Sequence, residues 1–301
     1  MIQHKVMAIV VTYFPDSEII SKTIESIYRQ VSQLFIIDNT PNGSEMLKNF
    51  QLLKENSNIH LVTLGRNTGI AHAQNVGIKK AMEEKADFIL LSDQDTVYPE
   101  NYIKDMLKAY NSLADKDKIA VIVPDFAELN RGGTRQGFVR FYGLFSKRLY
   151  PQTGCYEISQ AIASGMIIPE KVFDNIGFMD EELFIDWVDL EWCWRARAKG
   201  YKIIGNANVI VVHRLGDKVT KVGTKSYSIR SPIRDYYIVR NAVYLALRSK
   251  YLTLGMRLNL LVKVFKYIIG FTILGKPHEK HFVYSVKGFY HGILGIMGAY
   301  R

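Results

Sequence analysis

The sequence predicts an α/β domain built on a mostly parallel sheet with helices on both faces, followed by a C-terminal helical extension. Three observations carry that expectation. Short apolar runs alternate with amphipathic stretches as far as residue 91. Polar turns follow four successive runs, the position in which an open parallel sheet gathers its ligand-binding loops. From Pro232 onward the pattern changes to long helical runs interspersed with Lys and Arg. With 301 residues, 48% of them hydrophobic, the chain can bury a large core, and general disorder is excluded.

The elements follow in order. "KVMAIVVTY" (5–13) is a β-branched run that breaks at Pro15, as a buried strand does before a turn. Asp16 or Ser17 can cap a helix on which Ile20, Ile24, Ile27 and Val31 share one face. "LFIID" (34–38) is a second strand with the turn "NTPNGS" after it. A helix over 44–55, a strand over 59–64, a helix opening near Gly69 and the strand "DFILL" (87–91) continue the alternation. After "IAVIVP" (119–124), residues 125–155 lose periodicity and read as an irregular excursion over the site. "ISQAIASGMIIP" (158–169) resumes strand character, 181–201 reads as a loop leading into a helix that ends at Gly200, and "NVIVVHRLGD" (208–217) is a further strand.

Charge separates the tail from the rest. Residues 214–301 hold 16 Lys or Arg against 3 acids, whereas the first 213 hold 23 against 26. Such a cationic segment prefers phosphates, whether of nucleic acid, lipid headgroups or a diphosphate substrate. Arg257, Lys263 and Lys266 interrupt the apolar run over 252–275, so a membrane-spanning helix is not expected. Basic residues beside Leu, Ile and Phe suit a helix lying in a bilayer interface; helices packed on the domain with basic outer faces are the plainer reading. The N-terminal "MIQHKVMAIVVTYFP" lacks a cleavage pattern, so export is not expected. Cys155 and Cys193 are too far apart for a metal knuckle and form no disulfide framework, as fits a reducing cytoplasm.

Chemistry is expected where acids end apolar runs. Asp93 and Asp95 close "ILLSDQD", and like charges so near each other are costly unless a cation offsets them. Hard oxygen ligands suit Mg2+ or Mn2+, which bind substrate phosphates in turn. An isolated D-x-D also fits a solvated acidic turn; its place after a buried strand favours the metal. Asp38 and Asn39 end the second strand, where an Asp can accept from a base or ribose or simply form the turn. Arg66 can pair a phosphate or an acid, and Gly69 stands at a helix N-terminus, which favours anions. No G-x-G-x-x-G is present.

In "FIDWVDLEWCWRA", Asp186, Asp189 and Glu191 lie beside Trp187, Trp192 and Trp194. An acid packed against aromatics gains proton affinity, as a general base requires. Glu191 and Arg195, four apart, equally form a structural ion pair. Asp189, at the turn into the helix, is the acid best able to project into a cleft. His213 can join Asp95 on a metal or be satisfied structurally.

Several stretches in order, "VVTYFPD", "IIDNTPNGS", "GRNTGIAHAQNVGI", "LLSDQD", "DEELFIDWVDLEWCWRA", "VVHRLGD" and "SPIRDYYIVRN", are similar to the family 2 glycosyltransferases of GT-A fold, a Rossmann-like nucleotide-diphospho-sugar transferase architecture. The resemblance runs from residue 6 to about 245 and lies with the bacterial rhamnosyltransferase branch. It implies inverting transfer of rhamnose from dTDP-β-L-rhamnose to a hydroxyl of a growing glycan. Carried over by position, Thr12 and Tyr13 line the nucleotide pocket with Asn39 and Gly69, and Asp38 meets the base. Arg66 and Asn67 sit near the nucleotide, Asp93 on its sugar or ribose side, and Asp95 on the metal and diphosphate. Asp189 is the base, Glu191 the second acid of that motif, and His213 stands near the metal. Two features depart from many relatives: Val188 replaces the usual Glu before the base and Glu191 the second Asp, which brings Asp186 and Trp187 in as supporting residues.

The resemblance also sets expectations for organisation. Residues 1–230 would form the catalytic domain, with a nucleotide-sugar half to about 124 and an acceptor half over 125–230, and 231–301 a basic amphipathic extension. The acceptor would be a polyprenyl-diphosphate-linked glycan at the inner face of the cell membrane, with nucleic acid excluded as a partner. The tail would dock the enzyme peripherally or pair it with another copy. Other readings are transfer of galactofuranose or a hexose from a UDP donor, a nucleotidyltransferase, whose Gly-rich Arg/Lys loop "VVTYFPDSE" lacks, or a silent glycan-binding subunit.

Overall fold

Every residue of β1 (Val6–Thr12) is buried, a pattern sustained by a strand paired on both edges and covered on both faces. The computed structural model describes residues 4–128, 133–143, 145–213, 218–222 and 225–300, with backbone alone at 128, 213, 218–222 and 225–229. After β1 come α1 (Ser17–Ile27), β2 (Gln33–Asp38), α2 (Glu45–Lys48), α3 (Gln51–Glu55), β3 (Ile59–Thr63), α4 (Ile70–Glu83), β4 (Phe88–Asp93), β5 (Thr96–Val97) and α5 (Tyr102–Ser112). β6 (Ile119–Glu128), β7 (Thr134–Arg135), β8 (Phe138–Tyr142), β9 (Phe145–Leu149), β10 (Cys155–Ile158), β11 (Met166–Pro169), α6 (Phe173–Ile176), α7 (Val188–Ala198) and β12 (Lys202–His213) follow. The remainder comprises β13 (Lys218–Val222), β14 (Lys225–Ile229), α8 (Pro232–Arg248), α9 (Leu254–Leu274) and α10 (His278–Leu294).

The main sheet has the order β10-β12-β6-β11-β4-β1-β2-β3, with β5 on β12 and β7 on β6. β4, β1, β2 and β3 run parallel, as do β6 and β12. β11 runs antiparallel between β4 and β6, joining the parallel halves. Helix α1 starts where expected: the Asp16 carboxylate accepts from the N–H groups of Glu18 and Ile19 at 3.0 Å, and Ile20, Ile24 and Ile27 are buried. Each such side chain withdrawn from water contributes about 1.5–3 kcal/mol.

Four expectations are corrected. The helix over 44–55 is split between α2 and α3, because the Asn49 amide donates to Glu45 O at 3.1 Å and competes for the backbone. Residues 125–155 are more regular than their composition suggests: β6 runs on to Glu128, and β8 and β9 form an antiparallel hairpin. The run 158–169 is not one strand but the end of β10, a turn and β11. β12 begins six residues before the expected start at 208, while 214–217 lie outside the described residues.

The tail is helical as expected. α8 and α10 approach closely through glycine: a Cβ on Gly288 would lie 2.4 Å from Tyr236 O, and one on Gly292 2.6 Å from Arg240 O. Between the same helices, Nδ1 of buried His281 lies 2.5 Å from the Asp235 carboxylate. α9 leaves a ridge of Leu254, Leu258, Val262, Phe265, Ile269 and Ile273 exposed, and α10 exposes Phe282, Val286 and Tyr290. Among the described residues, no helix is long and apolar enough to cross a membrane.

Candidate active site

Register sets the first wall. Thr12 stands opposite Asp38 and Val11 opposite Asp93, so β1, β2 and β4 end at one level and their turns open together. The cleft there has a volume of about 1000 Å³, at the top of the range for small-ligand sites. Of the residues expected at a nucleotide, Thr12, Tyr13, Asn39, Asn67, Gly69 and Asp93 line it. Asp95 lines it too, as do Asp186, Trp187 and Asp189 from the opposite wall. Asp38, Arg66 and Glu191 stand outside the lining.

The polar turns brace one another. The Asp38 carboxylate is fully buried and accepts from Thr12 Oγ1 at 3.3 Å, Thr40 N–H at 3.1 Å and Ser44 N–H at 2.6 Å. It organises the turn after β2, the plainer of its two readings. Asn39 Oδ1 accepts from Thr68 N–H at 2.8 Å and its amide donates to Asn67 Oδ1 at 3.0 Å, tying the turns after β2 and β3 together. Gln94 spans β4 and β1, accepting from Tyr13 N–H at 2.8 Å and donating to Tyr13 O at 3.3 Å. Tyr13 keeps an exposed ring at the cleft, and Arg66 is exposed.

β5 explains why Asp95 and His213 are neighbours in space. Immediately after Asp95, Thr96 pairs with His213 at the end of β12. Only the backbone of His213 is described, so its side chain lies outside the described residues. Asp93 and Asp95 offer hard oxygen donors to one cleft, a donor set that fits a divalent cation shared with a phosphate ligand. Among the described residues, no three His, Cys, Asp or Glu side chains form a closed metal site.

The opposite wall is built on a strained turn. Phe184, Asp186 and Trp187 have φ of 64°, 62° and 70°, each costing about 1–2 kcal/mol in a residue with a side chain. α8 holds the turn in place. The amide of fully buried Asn241 reaches Leu183 O and Ile185 O at 2.9 Å and Asp186 O at 3.0 Å. Arg240 donates to Leu183 O at 3.0 Å, and Trp187 Nε1 to Ile238 O at 3.0 Å. From the other side, Ile70 N–H donates to Phe184 O at 2.7 Å, and a Cβ on Gly69 (φ +86°) would lie 2.6 Å from that oxygen.

Asp189 follows in the first turn of α7. Its Oδ2 accepts from Ala163 N–H at 3.0 Å and its Oδ1 from Leu190 N–H at 2.8 Å. Burial nevertheless raises its pKa to about 6, with Asp93 and Asp186 adding repulsion. The segment that reaches Asp189 also reaches the first wall, since Ser164 Oγ accepts from Asp93 N–H at 3.2 Å. Asp186, by contrast, is held by Arg234 at 3.2 Å through both oxygens and by Arg230 at 3.6 Å. Glu191 is paired with Arg195 at 2.8 Å, the structural alternative.

Several residues of this cleft were not singled out by sequence reasoning: Ala163, Arg148, Arg230, Arg234, Tyr267 and Phe271. Part of the signal is Arg234 in "SPIRDYYIVRN" with Arg230 just before that stretch, two arginines four apart at a helix start. Their partner, Asp186, was singled out only as an acid, and it lies more than forty residues earlier, with nothing in the sequence linking it to them.

The model of the family "Glycosyl transferase family 2" matches residues 8–177. The chain is 30% identical to the dTDP-rhamnosyl transferase RfbF of Shigella flexneri over 98% of both chains. Among solved structures, GalNAc-T7 with UDP, GalNAc and Mn2+ has a TM-score of 0.61 at 16% identity, over 97% of this chain and 56% of that one. The chain thus spans little more than half of GalNAc-T7. S. aureus TarS 1–349 in complex with UDP-GlcNAc has a TM-score of 0.59 at 17% identity, over 96% and 81%. These two likenesses concern the fold.

Proposed function

The chain belongs to glycosyl transferase family 2, and from that premise we propose that it transfers L-rhamnose from dTDP-β-L-rhamnose to a hydroxyl of a lipid-linked glycan, with inversion, during assembly of a cell-surface polysaccharide. The observation that carries the reading is the opposition, across one cleft, of Asp93 and Asp95 to Asp189, a carboxylate with raised proton affinity. The near full-length similarity to RfbF supports the donor.

The donor's nucleotide lies against Thr12, Tyr13, Asn39 and Asn67, with its diphosphate at Asp93 and Asp95. These acids, with His213 at the end of β12, would hold Mg2+ or Mn2+; bound there, the cation offsets the charge of the departing diphosphate. Asp189 accepts the proton of the acceptor hydroxyl as that oxygen attacks the anomeric carbon from the face opposite the diphosphate. A single displacement inverts the centre. Arg230 and Arg234 hold Asp186 in its pair, leaving Asp189 as the base. The exposed ridge of α9, beside Lys263 and Lys266, supports peripheral docking at the inner membrane face.

The experiment is a donor screen. Turnover of dTDP-rhamnose and of UDP-hexoses and UDP-galactofuranose is measured with Mg2+, with Mn2+ and with EDTA. Preference for dTDP-rhamnose and loss in EDTA are expected. Equal turnover in EDTA removes the metal role of Asp95, and a UDP-sugar preference replaces the donor.

A further inference from the structure

α9 carries an unusual sequence of faces. Advancing about 100° per residue, the exposed ridge of Val262, Phe265 and Ile269 is followed by Lys266, then by Lys263, then by Tyr267 and Phe271. The last two line the cleft. The two lysines therefore occupy the shoulder between the face turned to solvent and the face turned to the site.

Arg148 of β9, which also lines the cleft, is the third cation of this shoulder. Its guanidinium donates to Gln136 O at 2.5 Å. Among the described residues, no carboxylate pairs with Arg148, Lys263 or Lys266. Lys263 is half-buried, and its pKa lies below the ordinary lysine value because burial disfavours the charge and Arg148 and Lys266 repel it. Arg148 and Lys266 are exposed and Lys263 is half-buried, and three cations so placed, with no carboxylate among the described residues paired to them, favour an anion supplied from outside.

We propose that Arg148, Lys263 and Lys266 bind the phosphates of the lipid-borne acceptor, with its apolar chain leaving along the α9 ridge and its glycan entering the cleft past Tyr267 and Phe271. The order of faces on α9 matches the order of parts in such an amphiphile: hydrocarbon, diphosphate, sugar. This inference rests on the reading of a lipid-linked acceptor. Arg148 lines the same cleft as Asp93 and Asp95, which receive the donor's diphosphate, whereas Lys263 and Lys266 stand outside its lining.

The test is calorimetric titration of the full chain with farnesyl diphosphate, at saturating dTDP so that the donor site is filled. Farnesol, inorganic pyrophosphate, and phosphatidylcholine vesicles with or without phosphatidylglycerol are the other arms. Farnesyl diphosphate is expected to bind, and Lys263→Gln with Lys266→Gln to weaken it by about tenfold or more. Lys263→Arg with Lys266→Arg should retain binding, and dTDP affinity should stay unchanged in both variants. Undiminished farnesyl diphosphate binding by the Gln variant overturns the proposal. So does a variant-sensitive response confined to pyrophosphate or to phosphatidylglycerol vesicles, which assigns the lysines to a free anion or to lipid headgroups. Because sugar transfer is not read, a failed donor screen leaves this result independent.

Discussion

Asn241 lies outside the cleft lining, yet its replacement by alanine should damage catalysis. In the native chain its amide serves Leu183 O, Ile185 O and Asp186 O. Leu183 O keeps Arg240 as a donor, so the loss falls on the other two carbonyls. At about 1–3 kcal/mol for each buried group left unpaired, Asn241→Ala should destabilise the fold by roughly 2–6 kcal/mol. The three left-handed residues at 184, 186 and 187 then lack part of the restraint that keeps them strained. Relaxation would move the start of α7, and an error of about 1 Å in a reacting group is worth about 10²-fold in rate. Steady-state kinetics with both substrates, alongside thermal unfolding, provide the assay. We expect kcat to fall by about two orders of magnitude with donor KM nearly constant, because the donor wall hangs on β1, β2 and β4. A lowered melting temperature with unaltered kcat would refute the idea that α8 positions the base.

Asp189→Asn should lower kcat by about 10²–10⁴-fold while dTDP binding persists. A base with a pKa of about 6 is charged above that pH, so the wild-type rate should rise through pH 6 and level off; a rate independent of pH over 5–7 removes Asp189 as the base. The sign for stability is opposite: a raised carboxyl pKa in the fold means that ionisation opposes folding as pH rises from about 4 to 6, so Asp189→Asn should be no less stable than wild type at pH 7, as chemical denaturation can check. Gly69→Ala forces a side chain into φ +86° and against Phe184 O; it should cost more than about 1 kcal/mol and lower activity, and normal kinetics at normal stability would contradict the close approach.

The wall formed by β1, β2 and β4 was legible in the sequence because its signal is local. "VMAIVVT", "LFIID" and "FILLSD" are continuous apolar runs, and a continuous run denotes burial on both faces whatever the partners. Their polar ends then had to gather at one edge of a parallel sheet. The opposite wall was legible only in its acids. That Asp186 is neutralised by Arg230 and Arg234, that Asn241 supports residues 183–186, and that Ser164 and Ala163 link Asp93 to Asp189 depend on pairings across tens of residues. Periodicity reports how deeply a side chain is buried, and it carries no record of what the side chain meets. The hairpin of β8 and β9 was missed for a related reason: β8 is partly exposed and β9 is exposed along most of its length, so strict apolar alternation is absent.

The close seam between α8 and α10, where Gly288 and Gly292 admit the backbone of Tyr236 and Arg240, constrains how such chains can be recombined. A tail chosen only for its affinity for a surface would have to present glycine at the same two levels, or push α8 away from residues 183–187. Exchange of the last seventy or so residues between relatives is therefore also an exchange of cleft geometry. Chimeras should succeed when α8, α10 and the segment from Leu183 to Asp189 travel as one module, and fail when the tail is moved alone.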